Sequence, residues 1–134
     1  MIMTTGFKNP KKLSKSVEAI AKQLGLECDI SLIKTKHKAT ESYGFAAEIL
    51  GRPTICIMAD CPDKLVHEVI AHEMVHVHQM QRGDLVFDYD NMLFYWKGET
   101  FDKAKLESIE YNERPWEAEA KLFEKELAQN FFMS

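Results

Sequence analysis

The segment DKLVHEVIAHEMVHVHQMQR, residues 63–82, has the strongest helical pattern in the chain. Residues of similar character recur along it every three or four positions, which is the spacing of one helix face. They form two adjoining stripes: Leu65, Val69, His72 and His76, and then Val66, Ile70, Met74 and Val77. Asp60, Pro62 and Asp63 signal a helix start, and Gly83 signals its end. We predict a buried helix from about Pro62 or Asp63 to Arg82.

The same segment contains His72-Glu73-Met74-Val75-His76, a motif of the form HExxH. Two histidines four residues apart project from one helix face, so both imidazoles can bind one metal ion. Two imidazoles and a carboxylate suit zinc, and catalytic zinc keeps one position open for water. Glu73 lies at the edge of the same face, where it can take a proton from that water. We predict one Zn2+ per chain, bound by His72 and His76, with Glu73 as the general base.

Three other polar residues of this helix are predicted to have lesser roles. His67 and His78 are displaced from His72 by five and six residues, so they point away from the metal-binding face. Gln79 follows His76 by three residues and could orient a ligand or the substrate, but a glutamine on the helix surface is the commoner case.

The residues before this helix predict one helix and three strands. Asn9 and Pro10 suit the start of a helix that Gly25 closes. A strand follows over about Cys28–Lys34. Tyr43–Leu50 and Thr54–Ala59 then form a hairpin around a turn containing Gly51, Arg52 and Pro53.

The residues after this helix are aromatic and are predicted to be irregular over 84–100. Leu93–Phe101 is predicted to form a short hairpin that turns at Lys97-Gly98. The last helix starts near Pro115. Its apolar residues recur at helical spacing: Trp116, Ala120, Phe123, Leu127 and Phe131.

Composition indicates one domain over residues 1–134 and argues against a nucleic-acid partner. The formal net charge is −4, whereas phosphate binding needs a basic surface. The local cluster of Lys34, Lys36, His37 and Lys38 is read as a solvated strand end rather than a phosphate site. We expect a protein or peptide as the substrate, and the oligomeric state stays open.

The sequence is expected neither to span a membrane nor to be secreted through a signal peptide. It has no run of 18 apolar residues, and Met1–Lys12 lacks the apolar core of a signal peptide. The cysteines Cys28, Cys56 and Cys61 are odd in number and show no CxxC spacing. This pattern favours a reducing compartment, and we expect a cytoplasmic protein.

Three segments together resemble a known family. They are HEMVHVHQ at 72–79, YWKGETF at 95–101 and YNERPWEAEA at 111–120. This order is similar to that of small phage- and prokaryote-encoded zinc metallopeptidases of the gluzincin type, related in layout to the ImmA/IrrE family and to minimal gluzincins. The resemblance covers roughly Ile55–Phe123. HExxH followed by PWExEA is considerably more specific than HExxH alone.

The resemblance implies that the glutamate after Pro-Trp, here Glu117, is the third zinc ligand. Glu113, one turn earlier, and Glu119 are the alternatives. The chain departs from the related ExEAD pattern because Lys121 stands where an aspartate would orient a ligand histidine. A different residue must then orient that histidine.

The resemblance also implies an edge strand beside the motif helix, to which a substrate peptide adds as an extra strand. Thr54–Ala59 is the candidate for that strand. A peptidase of this kind also needs a group that stabilises the oxyanion. Tyr111, Tyr95 and Arg114 are the candidates.

These observations predict an α+β fold of the zincin-like kind. Its elements are an N-terminal helix, a small, mainly antiparallel three-stranded sheet, the HExxH helix, an aromatic hairpin and a C-terminal helix. The predicted function is hydrolysis of peptide bonds by metal-activated water.

Two other functions are weighed against this one. An SprT-like protease acting on DNA-bound proteins would need a third histidine after the motif, yet His78 is the last histidine of the chain. A non-catalytic zinc-containing protein that blocks or tethers a host factor would have no use for Glu73.

Overall fold

The computed structural model describes residues 2–40 and 42–132, which form an α+β fold with four α-helices and two sheets. The first half contains β1 (Ile2–Thr5), α1 (Pro10–Gln23), β2 (Ile30–Lys34), β3 (Gly44–Ile49), β4 (Arg52–Ile57) and α2 (Asp63–Gln81). The second half contains β5 (Leu85–Asp88), β6 (Leu93–Trp96), β7 (Glu99–Phe101), α3 (Lys103–Glu107), a 3-10 helix (Tyr111–Glu113) and α4 (Pro115–Phe132).

The larger sheet differs from the predicted one in size and in direction. Its strand order is β1-β2-β4-β3, in which β1 pairs parallel to β2, β2 pairs parallel to β4, and only β3 and β4 are antiparallel. The prediction of a mainly antiparallel three-stranded sheet was therefore wrong. The added strand, β1, is four residues long, too short for an alternating pattern to reveal it. Because α1 crosses from the end of β1 back to the start of β2, the two strands are parallel.

The hairpin of β3 and β4 forms as predicted but with a shifted turn. Leu50 and Gly51, both with positive φ, connect the strands, so β4 already begins at Arg52 and Pro53 lies within it. Strand β4 lies between β2 and β3, whereas β3 is at the edge of the sheet. The prediction that Thr54–Ala59 supplies the edge strand was therefore wrong.

The helices cover the sheet and enclose the main core. Ile30, Leu32, Ile55 and Ile57 of the sheet are fully buried against apolar residues of α1, α2 and α4. Helix α1 begins at Pro10 as predicted, although the side chain of Asn9 makes no capping hydrogen bond. Helix α2 ends at Gln81 before Gly83, whose φ is +82°, as the sequence predicted.

The aromatic region forms a second, antiparallel sheet of β5, β6 and β7. The predicted turn at Lys97-Gly98 is confirmed, and both residues have positive φ. Residues 84–100 were predicted to be irregular before the hairpin, so strand β5 was not predicted. Its Phe87 packs on Phe94, which in turn stacks on Trp116 of α4 with ring centroids 5.3 Å apart.

Helix α4 begins at Pro115, as predicted. Its buried face, however, includes a glutamate as well as apolar residues. Phe123 is 42% exposed, and its neighbour Glu124 is 7% exposed. Trp116, Ala120 and Leu127 are buried as expected, and the side chain of Phe131 lies outside the described ones. In the described part of the chain, no helix is long and apolar enough to cross a bilayer.

Gly44 allows the start of β3 to lie directly against α2. A Cβ added there would lie 2.7 Å from Val69 Cγ1 and 3.2 Å from the Cys56 carbonyl oxygen. Gly44→Ala is therefore expected to destabilise the fold by about 1–3 kcal/mol, the usual cost of overpacking. Urea denaturation of the single variants and of Gly44→Ala/Val69→Ala measures this cost. The double variant is expected to lose less stability than the two single variants added together, because removing the Val69 methyl groups makes room for the new Cβ. An unchanged urea midpoint for Gly44→Ala would contradict the close contact.

Candidate metal centre

Helix α2 carries three side chains that could hold a metal ion. His72, Glu73 and His76 each place one ligand atom within 4.8 Å of those of the other two. The histidines are stacked one turn apart, and their Nε2 atoms are 3.1 Å apart. The i, i+4 spacing of the motif thus produces the expected pair of converging imidazoles.

A carboxylate from α4 completes the arrangement. Glu117 Oε1 lies 2.9 Å from His72 Nε2, and Glu117 Oε2 lies 3.1 Å from His76 Nε2. Glu117 is buried. Trp116 beside it packs against Phe94 and Phe101 of the small sheet. Packing of the aromatic sheet therefore fixes the position of this carboxylate.

The other ring nitrogens of the two histidines also have partners. His72 Nδ1 donates to Glu124 Oε2 at 3.0 Å, and His76 Nδ1 donates to Gln79 Oε1 at 2.8 Å. The orientation of the Gln79 amide is determined because its Nε2 donates to Trp116 O and Glu119 Oε1. Each imidazole thus has its Nδ1 proton directed away from the centre.

Because both Nδ1 atoms act as donors, the centre holds two nitrogen lone pairs and a carboxylate but no positive charge to balance them. With Nδ1 protonated, neutral imidazoles present two Nε2 lone pairs to each other and to the Glu117 carboxylate. Lone pairs and a carboxylate repel unless a cation, either a metal ion or protons, lies among them. The donor set thus fits a metal ion.

The pKa values of His76 and Glu117 are shifted in the directions that this arrangement of charges predicts. Although burial lowers the pKa of His76, the Glu117 carboxylate and the charge of Glu73 raise it to about 9. Burial raises the pKa of Glu117, but hydrogen bonds from His72 and His76 outweigh this and hold it at about 2. Both shifts show that the site stabilises positive charge between the rings and negative charge on Glu117.

Glu73 differs from Glu117 because its carboxylate is not hydrogen-bonded to the rings. It is 4% exposed, and its Oε2 is buried without a hydrogen-bond partner in the described part of the chain. Burial raises its pKa. A buried, unpaired carboxylate oxygen is costly, so its presence here points to a group that it contacts during function.

The structure separates the three glutamates that the sequence left as alternatives. Glu113 is exposed on the 3-10 helix, and Glu119 bonds to Arg82 and Gln79 rather than to the histidines. Only Glu117 of these three contacts both imidazoles.

Two further residues hold the imidazoles: Glu124 was not identified from the sequence, and Gln79 was considered but assigned to the helix surface. Glu124 accepts the Nδ1 proton of His72 and so orients this ring, which Lys121 could not do. Gln79 is fully buried and does not lie on the helix surface. Glu124 follows Glu117 by seven residues, two helical turns, so it lies on the same face of α4. That spacing was the available signal, but an apolar pattern centred on Phe123 obscured it.

A cleft of about 370 Å³ leads to His72 and Glu73. It is lined by Tyr43 and Gly44 at the start of β3 and by Tyr111. Tyr111 is 54% exposed. Partial burial, the charges of Glu117 and Glu73 and a hydrogen bond to Glu117 raise the pKa of Tyr111, so its hydroxyl remains a donor.

The remaining polar candidates lie elsewhere. Tyr95 pairs with Val86 and Thr100 in the small sheet, and Arg114 donates to Leu106 O while its guanidinium lies 5.3 Å from the Tyr111 ring centroid. His78 contacts Arg82. Tyr111 is therefore the oxyanion candidate that the structure brings to the cleft.

Compared with protein-family models, curated proteins and solved structures, the chain matches none of them. The geometry of the centre therefore carries the functional conclusion.

Replacing Glu117 is expected to weaken metal binding most among the glutamates of this region. Glu117→Gln keeps the shape but removes the charge that faces both Nε2 atoms, so zinc affinity should fall by at least about tenfold, as for loss of a charged contact. Competition with a chromophoric chelator measures this change. Glu113→Gln and Glu119→Gln are the matched controls, and a larger loss in either of them would show that Glu117 is not the ligand.

Replacing Glu124 tests whether it orients His72. Glu124→Ala removes the acceptor of the Nδ1 proton, and loss of such a partner typically costs 10–100-fold in metal affinity or activity, so about tenfold weaker zinc binding is expected. Glu126→Ala, at an exposed position on the same helix, controls for a change in charge. Equal zinc affinity in the two variants would contradict the orienting role.

Proposed function

We propose that this chain is a zinc-dependent peptidase in which His72, His76 and Glu117 bind the metal and Glu73 acts as the general base. The observation that carries the proposal is the convergence of both Nε2 atoms and the Glu117 carboxylate on one point, beside the unpaired Glu73 oxygen. The gluzincin-type order of HExxH and PWExEA supports the same assignment.

Zinc is the metal that this donor set suits best. Two imidazoles and one carboxylate form the three-ligand set of catalytic zinc sites, which keep a fourth position open. The ligand atoms are 2.9–3.2 Å apart. In a tetrahedral site with bonds of about 2.0–2.1 Å they would be roughly 3.3 Å apart, so only a small expansion is needed.

When bound, zinc supplies Lewis-acid chemistry, since it polarises a carbonyl and lowers the pKa of water to near neutrality. Glu73 then accepts the proton of the attacking water and delivers it to the leaving amine. Its buried carboxylate lies within 4.8 Å of the ligand atoms of both histidines, close enough to receive that proton. The Tyr111 hydroxyl donates a hydrogen bond to the developing oxyanion.

An extended peptide is the substrate form that this site favours. The edge strand β3 starts in the same cleft as His72 and Glu73, and a substrate can pair with its free backbone groups. Backbone pairing depends little on side chains and suits protein substrates of varied sequence. The unpaired Cys28, Cys56 and Cys61 support the cytoplasmic setting of the proposal.

A non-catalytic zinc protein accounts less well for Glu73. A purely structural site gains nothing from a buried carboxylate oxygen without a partner, and it would carry the cost of desolvating that group.

Glu73→Gln separates the peptidase from a binding protein. The variant keeps the shape of the side chain and all three proposed ligands, so one zinc per chain should remain. Peptide hydrolysis should fall by about a hundredfold or more, because the general base is lost. Zinc content by atomic emission and cleavage of an unstructured protein, followed by mass spectrometry, measure the two quantities.

Glu126→Gln, which changes an exposed glutamate to glutamine, is the matched control and should retain both zinc and activity. Two results would refute the peptidase: cleavage by Glu73→Gln at the wild-type rate, or no cleavage of any protein in a proteome-wide screen with the zinc-loaded wild type.

A further inference from the structure

A second cavity lies on the face of α2 opposite the metal centre. It has a volume of about 370 Å³ and is bounded by the start of α1, the end of β2 and the first turns of α2. Asp63, Val66 and His67 of α2 line it, whereas the catalytic cleft is lined by Leu65, Glu68, Val69 and His72. Helical spacing places these two sets on opposite faces of the helix, so the cavity is separate from the proposed active site.

The charged residues of this cavity are mainly basic. Lys8, Lys12 and Lys34 line it, and Asp63 is the one carboxylate among its lining residues. None of the three ammonium groups forms an ion pair with another residue of 2–40 or 42–132. The chain as a whole has a formal net charge of −4, so the basic character is local to this cavity and to the adjoining start of α1, where Lys11 and Lys15 also lie.

The cavity also has apolar walls and unused hydrogen-bonding groups. Phe7, Leu13 and Val66 supply apolar surface. Asn9 borders the cavity, and its side chain makes no capping hydrogen bond at the start of α1. The positive end of the α1 dipole adds to the attraction for an anion. The main feature is the three lysines around one half-open pocket, of which Lys8 and Lys12 are exposed and Lys34 is partly buried.

We propose that this cavity binds a small organic phosphate. Lys8, Lys12 and Lys34 hold the phosphate, and Phe7, Leu13 and Val66 contact the organic part. Several ammonium groups around one space favour a dianionic phosphate over a single carboxylate, and lysine binds phosphate as a point charge. The volume lies within the range of small-molecule sites. This inference is independent of the peptidase proposal.

The geometry favours a small molecule over a nucleic acid. Binding to a nucleic-acid backbone uses many phosphate contacts along a basic surface, whereas the three lysines here line one pocket of small-molecule size. The linear cluster noted in the sequence does not form this site. Only Lys34 of that cluster lines the cavity, and Lys36, His37 and Lys38 are exposed in the following loop.

Titration of the zinc-loaded protein with phenyl phosphate tests the inference. Saturable binding by calorimetry is expected, with amide NMR shifts confined to residues around Leu13, Ser16 and His67. Inorganic phosphate should bind more weakly because it lacks the apolar part, and benzyl alcohol should not bind because it lacks the charge. Shifts around His72 and His76 alone would mean that phosphate binds the metal, and they would overturn the proposal.

Charge-changing variants locate the site. Lys12→Met and Lys34→Met keep the aliphatic stems, and each should weaken phenyl phosphate binding by about tenfold, the usual effect of losing a charged hydrogen bond. Lys15→Met and Lys22→Met, in the same helix α1 but outside the cavity, are the controls. Circular dichroism verifies that all four variants fold.

The variants can also overturn the proposal. Equal weakening by Lys15→Met and Lys12→Met would indicate non-specific charge attraction, and absence of saturable phenyl phosphate binding at millimolar concentration would exclude the site.

Discussion

The contact of Glu117 with the Nε2 atoms of His72 and His76 is the constraint on which the rest of the site depends. It brings together residues of α2 and α4 whose charges and lone pairs are unfavourable without a cation. Gln79 and Glu124 hold the outer sides of the same rings, so neither imidazole can turn away from the centre. Burial of these groups is costly unless every partner is present, and the observed packing of α2 against α4 provides these partners.

The two sheets have different roles in positioning this centre. The larger sheet buries the apolar side of α2 through Ile55 and Ile57. The smaller sheet packs its aromatic residues on Trp116, which precedes Glu117, and Gln79 of α2 bonds to the Trp116 carbonyl oxygen. The aromatic segment that follows the HExxH helix in the sequence thus sets the distance between the proposed base and the proposed third ligand.

Local signals predicted the parts of the molecule that depend on local physics. Helical spacing of apolar residues predicted α2, and proline at a first helical position predicted the start of α4 at Pro115. The glycine of Lys97-Gly98 predicted the turn, where both residues have positive φ. Strand β1 and the parallel pairing depend on long-range contacts. Glu124 was missed for the same reason, because a buried glutamate is recognisable only when its partner, His72, is known. Gln79 required knowledge of the Trp116 backbone.

The strand order decides which strand could pair with a peptide in the proposed peptidase, and the sequence could not give that order. With β4 between β2 and β3, both edges of β4 are occupied by neighbouring strands, so it has no free backbone for a peptide. The edge on the side of β4 belongs to β3, and the other edge belongs to β1. The first residue of β3, Gly44, touches α2 at Val69, three residues before His72. A side chain at Gly44 would push β3 away from α2 and widen the cleft at this point. The absence of a side chain thus places the edge of β3 next to the proposed metal ligands, where an added strand would present its carbonyl groups to them.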